Sequence, residues 1–187
     1  MSDNYIPKDK YREIQDTIDT LKQTHDWEKL KSFLISCSER YPKEYYIFTE
    51  LSSIYYMEDN STDALFVSQK AMSIEPKDVL VIYNYGMALF LNNKFDEAIT
   101  QFNRIRRKKI YSIAYGKYGE GMKWAKSIVN DSVYMIGVSY MEMGDNKKAE
   151  KFMREHLSHR RRGIYSDFTK RQVKRRLNIL SSLFFPK

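Results

Sequence analysis

Cysteine is almost absent from this chain: one thiol, Cys37, excludes an internal disulfide framework and fits a reducing compartment. Proline (4) and glycine (7) are scarce while charged residues reach 30%, which favours helices with few tight turns. No run approaches the roughly 18 apolar residues of a membrane span, and the opening MSDNYIPKDKYREI has no apolar signal-peptide core. A cytoplasmic protein without a membrane span is expected. Histidine is also rare. His156 and His159 stand three apart, a spacing that shares a metal only with a third ligand, and none is evident. A solvated helix end is expected there, with no metal site. Cys37 has no basic cluster beside it to lower its pKa, and no pair of carboxylates stands out as acid and base. Neither enzyme activity nor a cofactor is expected.

What is present is apolar and unevenly charged. Hydrophobic residues make up 42% and aromatics 14%, which excludes a disordered chain. The net charge is +8, yet residues 1–105 hold 12 Lys+Arg against 17 Asp+Glu, and residues 106–187 hold 20 against 7. One half therefore suits an acidic partner, protein or nucleic acid.

A period organises the chain. Pro42 and Pro76 lie 34 residues apart, each closing one helix before the next begins. In a frame of that length starting at Val79, Gly86 is eighth, Ala98 twentieth, Phe102 twenty-fourth and Ile105 twenty-seventh. The preceding frame places Ser52, Ala64, Ser68 and Ala71 there, and a later one, from Asn130, places Gly137, Ala149 and Met153 at the first three. The first frame matches least well, with Ile18 at the small eighth place. Glycine inside a helix costs about 1 kcal/mol relative to alanine, so Gly86 is expected to serve close helix packing.

LSSIYYMEDNSTDALFVSQKAMSIEPKD and IGVSYMEMGDNKKAEKFM resemble the tetratricopeptide repeat, a helix-turn-helix unit. The resemblance implies one all-α domain over 1–187, a TPR-like α-solenoid of about four hairpins (11–44, 45–78, 79–112 and 130–163), with an insertion at 113–129 and a basic capping helix at 164–187. Ser166-Asp167 offers a start signal for that helix, and Phe168, Val173, Leu177, Leu180 and Leu183 fall near one helical face.

In such arrays the first helix of each repeat lines the concave face, so Tyr56, Tyr83, Asn84, Met87, Phe90, Tyr134, Val138 and Met141 become partner-binding candidates. The alternative is that the insertion or the C-terminal helix folds over them. GKYGEG lacks the strand and the Lys-Ser/Thr of a phosphate loop. The insertion reads equally as a hinge or as a contact loop presenting Tyr115, Lys117, Tyr118 and Trp124. The basic patch comprises Arg106, Arg107, Lys108 and Lys109; Arg160, Arg161 and Arg162; and Lys170, Arg171, Lys174 and Arg175. All three clusters are expected at or beyond the end of a second repeat helix, where cations suit the helix dipole.

The carboxylate clamp of tetratricopeptide co-chaperones is disfavoured, because only Asn84 matches it while Gln15, Asp19, Thr49 and Ser53 occupy its other places. The segment from Gly121 to Gly163 with its basic tail resembles tetratricopeptide-type immunity proteins encoded beside bacterial toxins, although adaptors at eukaryotic organelle membranes share such features. That resemblance implies a non-enzymatic protein that occludes an acidic toxin domain. The alternatives are a general adaptor that binds a peptide, and a nucleic-acid-binding protein using the basic half, where Tyr111, Tyr115 and Tyr118 interleave with lysines.

Overall fold

The computed structural model describes residues 4–117 and 119–184. Among them the chain forms ten helices and no strand: α1 (Lys8–Gln23), α2 (Trp27–Arg40), α3 (Tyr45–Met57), α4 (Ser61–Ile74), α5 (Val79–Leu91), α6 (Phe95–Arg106), α7 (Ile110–Tyr115), α8 (Met122–Glu142), α9 (Asn146–Arg161) and α10 (Lys170–Phe184). They divide into two compact units, Met1–Ala88 and Leu89–Lys187, with the boundary inside α5. The charge divides at the same place. Unit 1 carries 10 Lys+Arg against 15 Asp+Glu, and unit 2 carries 22 against 9.

The hairpin turns show why the period recurs. At the fifteenth place of every frame the backbone enters the left-handed region: His25 at φ 55°, Asp59 at 55°, Asn93 at 59° and Gly144 at 77°. The sixteenth place then caps the second helix. The side chain of Asp26 accepts from Lys29 N (3.3 Å), Asn60 from Asp63 N (3.2 Å) and Asp145 from Lys148 N (3.1 Å). Lys94 stands there in the third repeat and makes no side-chain cap. The first repeat, the weakest in sequence, thus has the same turn as the rest.

Unit 1 packs α1 on α2, α2 on α3 and α3 on α4. Leu30, Leu34 and Cys37 on α2 fall at i, i+4 and i+7, and they bury one stripe against Ile14 and Ile18 of α1 and Ile47 and Leu51 of α3. Burial pushes the Cys37 thiol up, so it stays protonated and serves as a small core residue.

Unit 2 packs α8 against α6, α7 and α9, and α9 against α10. Phe102, Ile105, Ile136, Met153 and Leu180 are fully buried in it. Among the described residues of the insertion most are helical, in the end of α7 and the first turns of α8, which begins eight residues ahead of the fourth frame. Its glycines serve this fold. A Cβ on Gly119 would run into the Ala114 carbonyl, and Gly121 N donates to that same carbonyl at 2.9 Å, closing the exposed end of α7.

The start of α10 differs from expectation. Its cap is Thr169, whose hydroxyl accepts from Gln172 N (3.2 Å) while Gln172 Oε1 accepts from Thr169 N (2.7 Å), a reciprocal capping box. Ser166 points inward instead. The apolar face of α10 buries Val173, Leu177 and Leu180, as a cap requires, and that burial stabilises its docking by roughly 5 kcal/mol before ordering entropy is subtracted. Thr169→Ala is expected to cost about 1 kcal/mol, seen as a lower thermal midpoint that Thr169→Ser restores.

Candidate interaction surfaces

On unit 1 the first helices of the repeats are joined along one face. Lys22 of α1 pairs with Glu50 of α3 at 2.7 Å. Asn84 Nδ2 of α5 donates to the Thr49 carbonyl (3.3 Å) and to Ser53 Oγ (3.2 Å) of α3. Asn84, expected to meet a partner, is therefore occupied in holding α5 beside α3. On α3 the spacing 46, 49, 50, 53, 56 and 57 puts those residues on one side of the helix. Tyr46 and Ser53 there are half-buried, while Tyr56 (41%) and Met57 (53%) are exposed at its end. Burial raises the Tyr46 phenol, with the Glu50 carboxylate adding to the effect, so it remains a neutral hydrogen-bonding group. Tyr83 is half-buried and Met87 is buried.

On unit 2 the expected partner face is covered. Tyr134 lies under the capping segment, with its ring stacked on Phe168 at 4.0 Å and its hydroxyl accepting from Arg176 Nε at 2.9 Å. Val138 is buried, and Met141 is half-buried with its sulfur 4.0 Å from Arg176 Nη1. Tyr134 and Val138 thus belong to the interior in this structure; Phe168 and Arg176 of the capping segment cover Tyr134, while α10 itself packs on α9. Phe90 is half-buried with its ring 5.4 Å from that of Phe95.

A polar hub sits beneath the start of the capping segment. Asp131 is buried and accepts from the Ser166 hydroxyl. Burial pushes its carboxyl up to about 6, against the lowering effect of the Ser166 and Ser127 hydroxyls and the Asp167 backbone N–H, and with Asp167 raising it further. His156, expected at a solvated helix end, is instead fully buried, since it occupies the core-facing twenty-seventh place of its frame. Its Nδ1 lies 3.1 Å from the Asn130 carbonyl, which can only accept, so Nδ1 carries the proton. Burial lowers the pKa of His156 and keeps the ring neutral. His159 Nδ1 lies 3.0 Å from Asn130 Oδ1, and its pKa is lowered by burial and by the nearby cations of Arg162 and Arg106. Among the described residues no three His, Cys, Asp or Glu side chains gather as a metal site.

The hub collects the three basic clusters at one end of unit 2. Arg106 at the end of α6 pairs with Glu155 of α9 (3.2 Å), His159 joins α9 to Asn130 of α8, and Ser166 ties the start of the capping segment to Asp131. The C-terminal ends of α6 and α9 and the N-terminal end of α10 therefore come together. Arg104 and Arg106, like His159, Arg160 and Arg161, lie in last turns, where cations suit the dipole. The third cluster is placed otherwise: Lys170, Arg171, Lys174 and Arg175 open α10, which has no acidic residue in its first turn. Lys170 and Arg171, in the first turn, oppose the dipole at a cost of about 0.3–1 kcal/mol each, whereas Lys174 and Arg175 lie beyond its reach. All four are exposed, with no ion pair among the described residues.

From the insertion, Tyr115 and Lys117 are exposed and Trp124 is half-buried in α8; Tyr118 lies outside the described residues. Tyr111 and Tyr115, one turn apart on α7, are 70% and 67% exposed, with ring centroids 6.0 Å apart. Sequence reasoning missed the hub, because Asn130, Asp131, His156 and Ser166 are far apart in the chain and none forms a motif.

A tetratricopeptide-repeat family model matches residues 131–158. The crystal structure of MamA protein aligns with a TM-score of 0.60 at 18% identity, covering 79% of this chain and 71% of that one. The structure of Naa15/Naa10 bound to HypK-THB aligns with a TM-score of 0.41 at 16% identity, covering 79% of this chain and 25% of that one. No curated protein matches the chain. At 18% identity the likeness to MamA speaks for fold alone. No helix among the described residues is long and apolar enough to cross a membrane. Residues 131–158 thus match a tetratricopeptide-repeat model, and the described residues form an all-α fold of the TPR-like solenoid class.

Proposed function

We propose that this chain is a non-enzymatic scaffold that binds another protein through the first-helix face of unit 1. The observation that carries the reading is the exposed pair Tyr56 and Met57 at the end of a face that Lys22–Glu50 and the Asn84 bonds tie together. A large aromatic and a pliable thioether on a preorganised face supply contact area at little entropic cost. The test is affinity capture from native extract with the full chain and with Tyr56→Ala/Met57→Ala. The reading expects one stoichiometric protein at high salt, lost in the double variant.

Neutralisation of a toxin by occlusion is the narrower form of this function, supported by sequence resemblance and by the basic charge of unit 2, which would steer an acidic toxin surface. It expects the captured protein to be a toxin domain whose activity vanishes in the complex. A partner bound through a short peptide stretch, with no activity to inhibit, would instead make the chain a general adaptor.

A further inference from the structure

Steering of an acidic partner uses only the net charge of unit 2; the placement of its cations beside two exposed tyrosines is left unused. Arg107, Lys108 and Lys109 are exposed and, among the described residues, have no ion pair. Tyr111 and Tyr115 follow directly on α7 as the two most exposed large hydrophobic side chains described. Neither ring is needed by the core, whose share of α7 is Ile113 and Ala114. Arg161 at the end of α9, Arg162 just beyond it and the cations opening α10 extend the same end. Lys170 and Arg171 sit in the first turn of α10, where the helix dipole disfavours cations, so local stability does not account for their placement.

We propose that this end binds single-stranded nucleic acid, with phosphates on Arg107, Lys108 and Lys109 and bases stacked on Tyr111 and Tyr115. The proposal goes beyond the protein-binding function and does not depend on it, since its residues lie on unit 2. A single strand offers one negative charge per nucleotide along a flexible line, which suits cations delivered from three helix ends. It also brings planar bases, and every base has a π-face for an exposed ring. An acidic protein would pair the cations, but unlike a nucleic-acid strand it does not bring a planar group with every charge. The absence of a base-reading motif fits binding without sequence preference.

The experiment uses fluorescence anisotropy on the full chain with three labelled probes: oligothymidylate of about 20 nucleotides, an abasic strand of equal length, and polyglutamate of equal charge. The proposal expects oligothymidylate to bind about tenfold tighter than the abasic strand. Tyr111→Ala/Tyr115→Ala should erase that preference without changing the salt slope; both side chains lie outside the core, so folding is preserved. Arg107→Gln/Lys108→Gln/Lys109→Gln should lower the slope of log K against log salt by about 2. Equal binding of the two strands, or an unaltered preference in the tyrosine variant, would overturn it. Polyglutamate binding tighter than oligothymidylate would assign the surface to an acidic protein.

Discussion

Asp131→Asn is expected to stabilise unit 2 by about 3 kcal/mol at pH 8, at 1.36 kcal/mol per pKa unit. The carboxyl rises from its ordinary 3.8 to about 6 in the folded chain, mainly through burial. A raised acid binds its proton more tightly when folded, so the charged form is a penalty on folding. That penalty is complete above about pH 6, shrinks as pH falls through the folded value, and is gone below 3.8. Asparagine keeps an acceptor for the Ser166 hydroxyl and carries no charge. His156 acts in the opposite sense: its lowered pKa costs stability as the unfolded chain takes up a proton below about pH 6.5. Both proteins share that contribution, so the difference between them isolates Asp131. Urea unfolding at pH 8 and pH 4 measures it. An advantage of equal size at both pH values would contradict the account, as would a loss at pH 8.

Gly137→Val is expected to cost about 3 kcal/mol, by forcing branched bulk into a packed crossing. A Cβ at Gly137 would already stand 3.2 Å from Met153 Cγ, 3.3 Å from the Met153 backbone nitrogen and 3.3 Å from Phe152 Cβ, all on α9. Gly137→Ala should fall within about 1 kcal/mol of wild type, because alanine's helix propensity offsets the tight contact. Valine adds two further carbons against a backbone that cannot turn away. Urea unfolding of the two variants checks this; a valine variant as stable as the alanine one would show that α8 and α9 are not in close contact here.

Much of this architecture was legible because the period is physical. Pro42 and Pro76 stop helices, and α3 and α5 begin at Tyr45 and Val79, where the frames begin. The first repeat was faint because its turn is conserved in φ and not in residue type: His25, Asp59, Asn93 and Gly144 share only a left-handed backbone. Helix α7 was hidden by its six-residue length. Two start signals for α10, Ser166-Asp167 and the Thr169–Gln172 box, lie within four residues and competed; the 170–176 cations were counted with the end of the preceding repeat although they open α10. For His156 the frame pointed to the core while histidine's usual solvation pointed outward, and the frame prevailed. The cover over Tyr134 depended on where α10 docks, which helical spacing alone does not specify.

The most direct test of the central claim is calorimetric titration of the purified captured partner into the full chain at high salt, with wild type and Tyr56→Ala/Met57→Ala in parallel. A protein-binding face on unit 1 predicts one-to-one binding that survives salt and weakens at least about tenfold in the double variant. Binding that disappears with salt and is unchanged in that variant would contradict it, and would make the basic end of unit 2 the working surface.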